Sequence, residues 1–559
     1  MNPAQLLSHF DRISEAPDAI PRLRRFILDL AVRGKLVEQD PRDEPASELL
    51  KRIQAEKARL VKKGEIRKEK SLTPLAEDEL PFCIPKNWCW SQLAEVGFLN
   101  PRNSAEDDLP ASFVPMPLIS AEYGVGNRHE VRSWGEIKSG YTHFAEGDVG
   151  LAKITPCFEN GKSTVFRGLA GGIGSGTTEL HVVRPVCISA DYALLFLKCP
   201  HFIQAGIPRM TGTAGQKRVP TEYFAYSPFP LPPLAEQHRI VAKVDELMAL
   251  CDRLEAEQAK RESRRDRLAA ASLRRLNQPA DAPAFREHAR FHLRHLPRLT
   301  TRPEHVQQLR QTILNLAVRG RLVPQPPTDR PPPINFGKPD LSGTDFDAGV
   351  FSKAVATIAV PAHWFVAPLA RVATVIVDCP HSTPKWTASG KICVRTNQFR
   401  PGRLDLSDVR FVSEVTYAER IQRLKPIEDD ILYSREGGIL GIACRVPPDT
   451  ELCLGQRMML IRAGAATNPV FLEMVLNSPL ITEIARGMTT GGAAPRVNVA
   501  TVKAYPIPLP PLAEQHRIVA KVHELMDVCD RLETQLTTAQ TDSRRLLEAL
   551  LHEALAPAV

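Results

Sequence analysis

The chain has 11 cysteines but no two of them in a CxxC pair. That removes the basis for a zinc ribbon or a dithiol redox motif, and an odd count cannot close a complete disulfide framework. No apolar run approaches the roughly 20 residues that span a bilayer. The first 20 residues carry Asp11, Arg12, Glu15 and Asp18 where a secretory signal would be apolar. A cytoplasmic protein with buried free thiols and no membrane partner is expected. Catalytic signatures are missing too. Gly161, Lys162 and Ser163 imitate the end of a phosphate-binding loop, but Pro156 stands where that loop needs its first glycine. GGIGSG at residues 171–176 lacks the GxGxxG spacing. No Asn-Pro-Pro-aromatic segment, HExxH or GxSxG occurs. A self-contained nuclease or methyltransferase is therefore disfavoured, and no cofactor, metal or catalytic residue is expected in this chain.

What the chain has is a duplication. LPPLAEQHRIVAKVDELMALCDRLE at residues 231–255 returns at 509–533 as LPPLAEQHRIVAKVHELMDVCDRLE, identical at 22 of 25 positions with an offset of 278. LRRFILDLAVRGKLV at 23–37 returns at 309–323 as LRQTILNLAVRGRLV, identical at 11 of 15 positions with an offset of 286. A period near 280 is far beyond the 20 to 50 residues of solenoids. Each half therefore reads as leading helix, divergent module and long helix. The modules open alike, with Pro85, Trp88 and Leu93 matching Pro361, Trp364 and Leu369. Between opening and long helix lie short β-branched or aromatic runs at 148–154, 179–183, 430–433 and 458–461, punctuated by Gly, Pro and Asn, with helical stretches at 192–198 and 470–476. The expected class is α+β. A helical region runs to residue 79, a first module covers 80–230, and a long helix covers 231–277. A helical segment with a proline-rich linker at 324–333 fills 278–354, a second module covers 355–508, and a closing helix covers 509–559.

Prolines 232 and 233 pin the start of the first long helix, since they are tolerated only near a first turn. Beyond them Ile240, Val244, Leu247, Cys251 and Leu254 alternate spacings of four and three, as do Ile518, Val522, Leu525, Cys529 and Leu532, with the second stripe continuing to Leu550. Such stripes need a partner helix. Two of about 40 residues, each about 60 Å long, can bury one another as a coiled coil and hold the modules apart.

The net charge of +8 is uneven, with nine Lys or Arg against three Glu at 51–70 and seven against two acids at 260–275. Basic and amide side chains also gather on glycine-bearing turns: KITPCFENGKS at 153–163, TGTAGQKRV at 211–219, CVRTNQFRPGR at 393–403 and TTGGAAPRV at 489–497. Glycine lets backbone approach a phosphate, and Arg, Lys, Asn and Gln supply the paired hydrogen bonds that tell base edges apart. The candidate duplex-DNA-binding residues are Lys153, Thr155, Asn160, Lys162, Gln216, Lys217 and Arg218 in the first module. In the second they are Arg395, Asn397, Arg400, Arg403, Arg435 and Arg496. Arg218 and Arg496 stand at equivalent positions, 13 residues before each long-helix repeat.

The stretch GDVGLAKITPCFENGKS at 147–163, then GIGSGTTELHVVRP at 172–185 and PLPPLAEQHRIVAKV at 230–244, resembles the DNA specificity subunit of type I restriction-modification systems over nearly the whole chain. The usual GFGSTEF turn of that family is altered at Ser175, Thr177 and Leu180, and the second module has Leu454, Gly455 and Gln456 there. The resemblance implies two target recognition domains, each reading half of a split, asymmetric site, and antiparallel helices that set the spacer. It implies three kinds of partner: double-stranded DNA, methyltransferase (modification) subunits and restriction (translocase and nuclease) subunits. S-adenosylmethionine, ATP and Mg would belong to those partner chains. The rival is a coiled-coil adaptor whose modules bind something other than DNA, against which the basic turns count.

Overall fold

The computed structural model describes residues 16, 18–63, 75–77, 80–213, 215–278, 281–330, 346–356, 358–489 and 495–555. Part of the first basic cluster, the end of the proline-rich linker and the middle of the 489–497 turn lie outside them. The chain forms two units, Met1–Arg261 with Gln540–Val559, and Glu262–Ala539. Each is a mixed α/β domain, and long helices link the two.

In the first unit, helix α1 (Ala19–Val32) ends where Gly34 takes a left-handed φ of 66°. A side chain on Gly34 would overlap Pro85, so this turn is glycine's by conformation and by space. The charged helix α2 (Ala46–Lys62) follows. The domain then begins and ends on a ribbon, β1 (Cys89–Gln92) against β10 (Pro228–Leu231). Between them run β2 (Gly97–Leu99), β3 (Pro110–Val114), β4 (Glu130–Ser133), β5 (Thr142–Ala145), β6 (Val149–Ala152), β7 (Ser163–Val165), β8 (Ile173–Gly176) and β9 (Leu180–Pro185). Helices α3 (Ala190–Lys198) and α4 (Pro200–Gly206) follow β9. One sheet has the order β2-β9-β6-β7 and is antiparallel throughout. The other is β4-β3-β8-β5, with β3 and β8 parallel. The GGIGSG segment is therefore largely a strand. Its Gly174 and Gly176 lie where any side chain would strike the Ser112 and Val114 carbonyls of β3, so sheet packing accounts for these glycines.

In the second unit, the 44-residue helix α5 (Leu234–Asn277), which starts directly after its two prolines, finishes beside α6 (Ala282–Leu299) and α7 (Pro303–Val318). The second domain repeats the ribbon with β11 (Phe365–Pro368) against β22 (Pro506–Leu509). Its strands are β12 (Ala373–Asp378), β13 (Trp386–Thr387), β14 (Lys391–Val394), β15 (Phe399–Arg400), β16 (Arg403–Leu404), β17 (Arg410–Val412), β18 (Ile431–Ser434), β19 (Ala443–Arg445), β20 (Leu452–Leu454) and β21 (Met458–Ala463). Helices α8 (Pro469–Asn477) and α9 (Pro479–Gly487) precede β22, and α10 (Leu512–Leu555), again of 44 residues, closes the chain. The sheet β12-β21-β18-β19 matches β2-β9-β6-β7, while the other runs β13-β17-β14-β20 with β14 and β20 parallel. Its extra strand is attached at β17, the edge opposite to the one β5 occupies in the first domain. The frames are the same and the edges are not.

The stripes on α5 and α10 are also packed inside their own units. Ile240, Val244 and Cys251 are buried in one core with Ile27, Ala31, Leu49 and Trp88, against which Leu247 also packs. Ile518, Val522 and Cys529 share a core with Ile313, Ala317 and Trp364, and Leu525 and Leu532 pack on it. The leading helices α1 and α7 supply these contacts, so the two duplicated segments are halves of one packing unit. Leu254 is 36% exposed and so lies at the margin of that core. The ion pairs are duplicated too. Arg24 bridges Asp252 and Glu255 at 2.6 and 2.7 Å, and Arg310 bridges Asp530 and Glu533 at 2.5 and 2.7 Å. The far end of α10 returns to the first unit, where Leu547 and Leu550 are buried with Ala16 and Ala19.

Candidate nucleic-acid interface

The Glu-Gln pair at the start of each long helix holds a domain in place. Trp88 Nε1 donates to Glu236 at 3.0 Å and Gln39 Nε2 at 2.6 Å, and burial pushes the Glu236 carboxyl above the usual carboxylate range. Trp364 Nε1 donates to Glu514 at 3.1 Å. Gln237 accepts from the Ser189 amide at 2.9 Å and donates to the Pro232 carbonyl at 3.0 Å, and Gln515 accepts from the Asn468 amide at 2.7 Å. One side chain thus ties the opening strand and the next the helix after the sheet, in both copies. The signal was in the repeat: Glu236 falls off the heptad stripe, Gln237 places a polar amide on its line three residues before Ile240, and both recur as Glu514 and Gln515.

With the domains held this way, the candidate residues of the first one converge. The turn leaving β6 at Lys153 pairs with the stretch before Val219. The Thr155 amide donates to the Lys217 carbonyl at 2.9 Å, the Val219 amide to the Lys153 carbonyl at 2.8 Å, and Arg218 bridges both Ile154 and Thr211. Thr155, Gln216, Lys217 and Arg218 therefore sit on one backbone framework with half-buried Lys153, and Asn160 and Lys162 lie on the continuing turn. Their side chains divide by environment. Lys162 Nζ turns inward to the Met116 carbonyl at 3.3 Å, and Thr155 Oγ1 meets Glu159 at 3.2 Å. Arg218 grips Glu179 through two nitrogens at 2.9 and 2.8 Å, and this bond holds the Glu179 carboxyl below its ordinary range. Asn160, Gln216 and Lys217 are exposed.

In the second domain the same framework carries different chemistry. The Val497 amide donates to the Arg435 carbonyl at 3.0 Å, and Arg496 bridges Glu436 as Arg218 bridges Ile154. Arg435 thus stands where Lys153 does. Its guanidinium is 8% exposed and is fixed by Asp378 at 3.0 and 2.8 Å, which gives it a positioning role and no free face. Its amide reaches the Arg457 carbonyl at 3.2 Å where Lys153 reaches Glu179 at 2.9 Å, so an arginine replaces an acid beside this turn. Arg395, Asn397, Arg400 and Arg403 belong to a separate turn built on the β15–β16 hairpin, whose tip at Gly402 hydrogen-bonds Ala443 at 3.1 Å. Arg395 pairs with Asp408 at 3.0 Å. Arg400 is bonded to the Asn397 and Phe399 carbonyls at 2.8 and 3.0 Å, while Asn397 and Arg403 are exposed. Among the described residues no group of three or more His, Cys, Asp or Glu is placed to hold a metal ion, and no helix is long and apolar enough to cross a membrane.

Two α/β domains of one design, linked by long helices and presenting different polar turns, define a two-headed binding protein. The comparisons give the family. Residues 405–539 match the type I restriction modification DNA specificity domain. The chain is 36% identical to the type I restriction enzyme EcoEI specificity subunit of Escherichia coli over 96% of this chain and 94% of that one. It is also 36% identical to the EcoAI specificity subunit of Escherichia coli, with the same coverages. A solved chain from work on complex assembly and conformational transition of the type I R-M system shares the fold at a TM-score of 0.50 and 19% identity, covering 86% of this chain and 100% of that one. The chain belongs to the family of type I restriction-modification specificity subunits, the non-catalytic, sequence-specific DNA-binding members of those complexes, which work with methyltransferase and restriction subunits.

Proposed function

We propose that residues 80–230 and 355–508 each read one half of an asymmetric bipartite DNA site in the cytoplasm, and that α5 and α10 set the spacer and dock the methyltransferase subunits. The observation that carries this reading is one framework bearing different groups at equivalent places: Lys153 against Arg435, Glu179 against Arg457, and Ile154 against Glu436. Equal frames keep two readers in equal poses, and unequal groups give them unequal targets. Asn160, Gln216 and Lys217 in one domain, and Asn397 and Arg403 in the other, are the exposed donors and acceptors suited to base edges and phosphates. Arg218, Lys162, Arg395 and Arg435 fix the turns from behind. A methyltransferase docked on this scaffold would take its adenine out of the stack before modifying it.

The test replaces residues 97–227 with the matching segment of a relative, in the complex with its methyltransferase subunits. Methylome mapping should show one half of the recognised sequence altered and the other half and the spacer retained. A parent complex that methylates without any bipartite preference would sink the proposal.

A further inference from the structure

We propose that α6 is a sequence-independent phosphate-binding helix that grips duplex DNA outside both recognition domains. The proposal rests on this chain working on DNA but not on which residues read bases.

Arg286, Arg290, Arg294 and Arg298 recur every fourth residue along α6. At about 100° and 1.5 Å per residue, each lies about 40° around and about 6 Å further along than the one before. The four therefore sweep an arc of about 120° over about 18 Å. All four are exposed. Among the described residues none of the four guanidinium groups has an ion pair or hydrogen bond, whereas nearby Arg302 and Arg310 each hold two acids. Glu287 is the only acid on that arc.

The other face is occupied. His292 and Leu299 are buried, and His292 Nδ1 lies 3.0 Å from Ser272 Oγ on α5. The helix is thus anchored through His292 and Leu299 with its arginines outward, while Phe291 and Leu293, 42% and 67% exposed, flank the arginine arc. The adjoining stretch of α5 adds exposed Arg264, Arg267, Arg274 and Arg275. Its acids are already taken, Glu262 by Arg265 at an ion-pairing distance and Asp266 by Arg302 and His305.

The curvature of the arginine line selects the partner. A flat acidic protein patch would meet about two of four groups spread over 120°. A DNA groove of about 12 Å admits a helix of 10–12 Å diameter and has phosphates on both rims, so it faces the whole arc. Contacts of that kind are made to phosphate and carry no sequence information.

The experiment uses the assembled complex with methyltransferase subunits and compares the parent with Arg286→Gln/Arg290→Gln/Arg294→Gln/Arg298→Gln and with the same four changed to Lys. Affinity for a duplex bearing the methylated site and for a random duplex is titrated from about 50 to 200 mM salt. Each lost phosphate contact lowers the slope of log K against log salt by about 0.9. The Gln variant should lose about 3 to 4 in slope, weaken on both duplexes by the same factor and methylate the same sequence. The Lys variant should keep the slope. Single Gln substitutions on this exposed face should each remove about 0.9, which keeps the test open should the quadruple variant fold poorly. An unchanged slope, weakening confined to the specific duplex, or loss of subunit assembly with the slope intact would each overturn the proposal. A complex without bipartite preference whose slope still falls would defeat the half-site reading and leave this one standing.

Discussion

At the residue scale, equivalent positions do equivalent jobs with unlike chemistry. Lys198 closes α3, is buried, and donates to the carbonyls of Ser120, Ala121 and Gly161 at 3.4, 3.0 and 3.1 Å, which holds the 153–163 turn. Asn477 closes α8 and holds Ala443 through both its amide and its carbonyl at 3.0 and 2.8 Å. Burial pulls the Lys198 ammonium down to about 7. Below pH 7 folded and unfolded chains both carry the proton and the cost of burying it is complete. Between pH 7 and about 10.5 the unfolded chain binds more protons, so stability rises with pH. Glu473 in the second domain has the opposite sign. Burial pushes it up to about 7 although Arg445 lies 3.1 Å away. Its contribution is complete below about pH 4.5 and is lost as pH climbs through 7. Urea unfolding against pH should therefore show the first unit gaining on the order of 1–3 kcal/mol between pH 7 and 9, and Lys198→Met flattening that rise. The second unit should lose a similar amount between pH 5 and 8, and Glu473→Gln should remove the loss. Parallel profiles for parent and variants would show that neither group titrates in that range.

At the scale of elements, the long-helix stripe is graded. Ile240 and Val244 are fully buried while Leu254, on the same heptad line, is 36% exposed. Ile240→Ala should cost about 2–5 kcal/mol through lost transfer energy and the cavity left behind. Leu254→Ala should cost about 1 kcal/mol or less in the isolated chain. Arg24→Ala breaks two ion pairs to acids that are 55% and 70% exposed, and should also stay near 1 kcal/mol. Equal costs for Ile240 and Leu254 would mean the stripe is covered uniformly. Much of this was legible in the sequence. The run at 148–154 contains β6 and that at 430–433 covers all but the last residue of β18, residues 192–198 fall in α3, and the paired prolines mark where α5 and α10 begin. The partner of the stripe was not legible, because a heptad line looks the same whether it faces another long helix or the leading helix of its own unit. Nor could spacing reveal that Arg435 is spent on Asp378, 57 residues earlier in the chain. The spacing of four along Arg286 to Arg298 was visible, yet only burial of the opposite face gave it meaning.

At the scale of the molecule, the unit boundary crosses both long helices at matching points, after Arg261 in α5 and after Ala539 in α10, with the chain passing from one unit to the other at each. A helix is a stiff rod of about 1.5 Å per residue, so the length of these crossings is a distance the protein can impose on what its two domains bind. One heptad is about 10.5 Å and about three base pairs at 3.4 Å each. Seven residues inserted in register near 261 of α5, together with seven near 539 of α10, should lengthen the spacer of the methylated site by about three base pairs and leave both half-sites unchanged. Inserting in α5 alone should instead lower stability and methylation, because the paired crossings then differ in length while Leu547 and Leu550 of α10 still have to reach Ala16 and Ala19 in the first unit. Methylome mapping of the double insertion reads the spacer directly. An unchanged spacer with full activity would mean that the partner subunits set the distance between half-sites and that the helices serve only for docking.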